Sequence, residues 1–135
     1  MLPEEIIATM RACSVGSVNG TLRFPDVVEK LVELGVESYH ADLYRHEKTY
    51  YMPSGDSHVE RETKLPLFPV ADTFDVDGVR EAIHRVQKVE VNYIEFMDQI
   101  ARAGVAHYWV YLTGEKAVYV GRRGESWTEL FPGQK

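Results

Sequence analysis

The stretch GVESYHADL, Gly35–Leu43, returns as GVAHYWVYL, Gly104–Leu112, at an offset of 69 residues. A repeat of this length is a whole packing unit, and the fold must seat two copies of it side by side. The offset also aligns what precedes each glycine. Phe24, Val27, Val28, Leu31, Val32 and Leu34 fall on Tyr93, Phe96, Met97, Ile100, Ala101 and Ala103. Spacings of three, four and seven describe one apolar face of a helix, and Gly35 and Gly104 supply its C-terminal stop. Pro25 suits the first turn, where a missing N–H costs nothing, and Asp26 lies near the positive helix end.

After each glycine the period changes to two. Tyr39, Ala41 and Leu43, and in the second copy Tyr108, Val110 and Leu112, make an apolar face, so both stretches read as strands. LYRHEKTYY and LTGEKAVYV then turn back into second strands. Gly114 is expected to take the positive φ of its turn, and pairing Tyr51 with Tyr119 makes the first loop one residue longer. GDSHVERET and GESWTELF supply a third strand in each half. Further helical patterns precede the copies, at Leu2–Ala12 and at Val76–Gln87, and the proline-bearing segment Lys64–Asp72 joins the halves. The expectation is a single α+β domain over residues 1–135. It is an internal duplication of a helix-plus-three-strand unit, repeat one about 24–63 and repeat two about 93–131, with a largely antiparallel sheet and helices on one face. A chain of 135 residues with 44% apolar content can bury such a core without metal or disulfide help.

Several features match a known family. Phe24-Pro25, a helix, then Gly35, Val36, Tyr39 and Asp42, a hairpin, and Tyr50-Tyr51 are followed by Gln87, Tyr93 and Phe96, then Gly104-Val105, Trp109 and Tyr119. The pattern resembles the YbcV/YdfO-like family of small bacterial proteins, which carry a domain-of-unknown-function label and are often filed as phage envelope proteins. The resemblance covers the chain from about residue 20 onward. It implies an α+β fold with a mixed or antiparallel sheet and carries no established activity. This chain departs from the family where a His-Gln-x-Gly run often precedes the second helix, having Val86, Gln87, Lys88 and Val89 there.

Composition narrows the functional classes. A net charge of −6, from 15 basic and 21 acidic residues, argues against nucleic acid as a partner. No apolar run reaches the roughly 20 residues that span a bilayer, and the acidic start MLPEEIIATMRAC does not resemble a secretory leader, so a cytoplasmic location away from membranes is expected. Cys13 has no disulfide partner and no patterned base, and reads as a lightly buried thiol before a flexible SVGSVNG stretch. The motifs GxGxxG, GxxxxGK[ST], GxSxG, HExxH and CxxC are absent, so neither cofactor nor metal is expected and catalysis is not the leading expectation.

The two copies differ on their second strand face. The first offers Ser38, His40, Asp42 and Tyr44, and the second His107, Trp109 and Tyr111. If these strands are neighbours, the face gathers histidines, a carboxylate and aromatic rings. It then reads as a binding surface, as a homodimer interface, or as ordinary packing under a helix. His40 and Asp42 stand roughly 6.6 Å apart along a strand. They would contact one small-molecule ligand, act as acid and base in a groove, or share a metal with His58 or His107, although no usual ligand spacing supports a metal. His46 and Glu47 read as a solvated turn, His84 as half buried on its helix, and Arg122-Arg123 as a turn that could hold an anion.

Overall fold

The computed structural model describes residues 2–132. Four helices, α1 (Glu4–Asn19), α2 (Phe24–Leu34), α3 (Val76–Gln87) and α4 (Tyr93–Arg102), alternate in pairs with two sets of strands. The strands are β1 (Ser38–Asp42), β2 (Glu47–Tyr51), β3 (Ser57–Arg61), β4 (Val105–Tyr111), β5 (Lys116–Gly121) and β6 (Ser126–Leu130). They form one six-stranded sheet in the order β3-β2-β1-β4-β5-β6, antiparallel throughout. The α+β duplication is therefore present, and its unit is two helices and three strands.

The halves meet where β1 pairs with β4. His40 lies opposite Trp109, flanked by Ala41 opposite Tyr108 and Tyr39 opposite Val110. Residues 40 and 109 are repeat equivalents, so a pseudo-twofold axis passes between them. The offset of 69 holds in the backbone as well. Left-handed residues recur at Gly20 and Val89, Gly35 and Gly104, His46 and Glu115, and Gly55 and Gly124.

These details correct three expectations. The positive φ of each hairpin belongs to His46 and Glu115, not Gly114. Both hairpin turns have four residues between their last paired positions, so Tyr50 and not Tyr51 is the equivalent of Tyr119. The stretch read as flexible is helical to Asn19, and Gly20 ends it. Gly16 is needed inside that helix because a Cβ there would lie 2.6 Å from Leu22 Cδ1.

All four helices cover one face of the sheet. Met10, Val27, Leu31, Ile83, Phe96 and Ile100 pack with Tyr39, Tyr50, Tyr108, Val110 and Tyr119 in a single core. Cys13 is buried completely in it, and burial pushes its thiol up, out of the reactive range. Val32 is the exception on the repeat helices, 55% exposed, whereas its equivalent Ala101 is buried. Helix α4 is enclosed by α1, α3 and β4, while the main helical neighbour of α2 is α1. The joint segment is pinned down: Leu65 and Phe68 are buried, and Ala71 and Asp75 N–H groups donate to Ala101 and Ala103 carbonyls. It crosses so close to Gly104 that a Cβ there would collide with the Thr73 carbonyl.

Candidate functional site

Strand parity sends Ser38, His40 and Asp42 to the face without helices, with Thr49 and Tyr51 from β2 and His107, Trp109 and Tyr111 from β4. The rings form a ladder. His40 and Trp109 centroids are 4.7 Å apart, His40 and His107 stack at 5.2 Å, and Trp109 and Tyr111 stack at 5.9 Å. Tyr44 meets His107 edge-on at 6.0 Å, and Tyr51 lies 5.7 Å from Trp109. These are separations at which rings attract beyond simple burial. Six of the rings are thus brought together, and Tyr51 had not been singled out. Its parity was legible, because the apolar residue beside it, Tyr50, has to face the core.

The polar groups on this face have defined tasks. Asp42 Oδ1 accepts the backbone N–H groups of Tyr44 at 2.9 Å and Arg45 at 3.0 Å, which spends the carboxylate on the hairpin turn. Burial, and then the proximity of His107, lower the His40 pKa, while Asp42 opposes the shift. His40 is therefore a neutral ring at physiological pH. His58 is on the opposite, helix-covered side of the sheet and bonds Glu60, so it cannot join His40 around one ion. Among the described residues no three His, Cys, Asp or Glu side chains are grouped to hold a metal. Arg122 and Arg123 lie beyond β5, away from the ring ladder. Both engage Asp72, Arg123 through its carboxylate at 2.7 Å and its carbonyl at 3.0 Å.

A second candidate lies under the helices. A cavity of about 360 Å³ opens between α2, α4 and the sheet, within the range of small-molecule sites. The loop 88–92 contributes to its rim, and Tyr39, Tyr108 and Tyr119 to its floor. Lys48, buried with its side chain 3% exposed, also lines it. The Lys48 ammonium stands 3.5 Å from Glu62 Oε2 and over the Tyr93 ring at 4.3 Å. Tyr93 donates to Glu62 Oε1 at 2.8 Å. Burial raises the Tyr39, Tyr93 and Tyr108 phenols well above their ordinary range, so they remain neutral donors. Sequence reading missed this site, although Lys48 two residues from Tyr50 carried a parity signal.

The fold and these two surfaces define an α+β protein built by duplication, with one helix-covered and one bare sheet face. The chain belongs to DUF1398, a family of proteins of unknown function, which it matches over residues 14–128. No curated protein matches it. No helix among the described residues is long and apolar enough to cross a membrane.

Proposed function

We propose that this protein works by binding, and that its bare sheet face is where a second copy of the chain docks. The observation that carries this reading is the six-ring ladder lying across β2, β1 and β4 on a face that none of the four helices covers. At ordinary strand spacing and rise, six strands of at least five residues make a plate of roughly 29 by 17 Å or more. With its rim, that is the scale of a standard interface. The centre is aromatic, and basic side chains stand toward the edge. At one corner Glu47 holds Arg45 and Arg61. An aromatic centre inside a polar rim is the usual anatomy of a specific interface. A twofold dimer needs a self-complementary patch, and the pseudo-twofold already places like positions of the two halves about His40 and Trp109. We further place the chain next to the YbcV/YdfO-like group and in the cytoplasm, where a homodimer without cofactor fits its lone, buried cysteine.

Light scattering coupled to size exclusion tests this. The wild type is expected to elute as a dimer at tens of micromolar, and Trp109→Ala as a monomer whose melting temperature changes little. Trp127 packs under Arg80, 4.9 Å from its guanidinium carbon, on the other sheet face. A Trp127→Phe background therefore leaves Trp109 as sole reporter, and its emission should shift red on dilution. A wild-type monomer at that concentration, or a dimer that survives Trp109→Ala, would sink the reading.

A further inference from the structure

The pseudo-twofold gives every residue of one half a counterpart in the other, which makes departures from symmetry visible. Three such departures meet at one point. Lys48, Glu62 and Tyr93 correspond to Ala117, Phe131 and Phe24 at the offset of 69. The second set packs as hydrocarbon, with Phe24 and Phe131 in edge-to-face contact at 5.9 Å. The first set, in the same place in the fold, is a buried ammonium, a buried carboxylate and a phenol. The architecture thus closes this corner with apolar side chains in one half, so the fold does not require the ionic set in the other. Burying such a pair costs desolvation that a hydrophobic replacement avoids. Its polar capacity is also incompletely used: Glu62 Oε2 has no hydrogen-bond partner among the described residues. The Lys48 ammonium has three donors but, beside the Tyr93 and Tyr39 rings, only that long ion pair among the described residues, and the Tyr39 and Tyr119 hydroxyls find no acceptor there. All three side chains line the cavity.

We infer that this cavity is a binding site for an uncharged, largely apolar small molecule carrying a carbonyl oxygen, which the Lys48 ammonium and the Tyr39 hydroxyl receive. Size and walls set the apolar body, with Val27, Val86, Phe96 and Val110 around it. Charge sets the rest. Lys48 and Arg23 stand against Glu62, Glu90, Glu95 and Glu129, so the surroundings are net negative and repel an anion. A cationic ligand finds its natural seat, on the Tyr93 ring beside Glu62, already filled by Lys48. A neutral acceptor uses the free donors without adding a buried charge.

The test uses prodan, an uncharged naphthyl ketone whose emission reports both polarity and hydrogen bonding, with anilinonaphthalene sulfonate as the anionic comparator. Wild type is expected to bind one prodan saturably with micromolar affinity and the sulfonate at least tenfold more weakly. Tyr39→Phe removes only a hydroxyl without a protein partner, so the fold stays intact and prodan affinity falls about fivefold. Lys48→Ala/Glu62→Phe copies the other half of the molecule, and is expected to fold, bind prodan at least tenfold more weakly and give bluer bound emission. Absence of saturable binding to the wild type overturns the proposal. So does affinity unchanged in both variants, or equal binding of the sulfonate. Loss of prodan binding in Trp109→Ala would place the dye on the bare face and overturn it too.

Discussion

Val89 carries a backbone cost that its counterpart avoids. It sits in the left-handed region at φ 59°, where its equivalent 69 residues earlier is Gly20 at φ 81°. A β-branched residue there costs about 1–3 kcal/mol. The side chain is 55% exposed and so recovers little by burial. Val89→Gly is expected to raise stability by about 0.5–1 kcal/mol after the extra entropy of an unfolded glycine is subtracted. Urea melts measure it, and a loss of stability would mean that the valine holds the cavity rim. His40 supplies a pH dependence of definite sign. Burial and His107 hold its folded pKa below the ordinary 6.5, so under acid the unfolded chain takes the proton first. Stability is full above about pH 6.5 and declines as pH falls through the folded pKa. His40→Asn should flatten the fall in melting temperature between about pH 7 and pH 5, the range around the free imidazole value. An unchanged slope would assign the fall to other groups.

Among the secondary-structure elements, those with a regular period and a sharp stop could be read without coordinates. Helix α4 begins with a capping box, in which Asn92 Oδ1 and Glu95 Oε1 take each other's backbone N–H groups, and it is followed by Gly104. Its apolar spacing and that of α2 placed Leu31 and Ile100 inward, and both are fully buried. Leu31→Ala and Ile100→Ala should each cost about 2–5 kcal/mol in urea melts, the larger loss falling on Ile100 because α4 is enclosed on more sides. A cost below about 1 kcal/mol would show that the cavity collapses around the smaller side chain. Val32 repeats the same spacing and is exposed, because periodicity defines a stripe and says nothing of how far neighbours wrap around it. The second half of α1 was illegible for a related reason. Gly16, Ser14 and Ser17 look like a loop by composition, yet small residues there let Leu22 pack closely and let Ser14 reach the Tyr50 hydroxyl at 2.6 Å.

For the molecule as a whole, the repeat foretold two equal halves but not how they join. Pairing β1 with β4 is a tertiary choice. It decides that the rings of His40, Trp109 and His107 share one surface, and that the second helix of each half closes over strands of the other, as Tyr93 reaches Glu62 and Phe24 reaches Phe131. Lys48 and Glu62 are 14 residues apart, and only this closure buries both. That burial predicts a non-additive pair. Lys48→Ala alone strands a buried carboxylate and should cost about 3–5 kcal/mol. Lys48→Ala/Glu62→Phe, which gives this corner the side chains of its twin, should restore wild-type stability or exceed it by about 1–4 kcal/mol. Denaturant melts of the two single variants and the double close the cycle. Costs that simply add would mean the ionic corner is a packing requirement of this half after all, whereas recovery in the double variant would show that the duplicated fold stands without it.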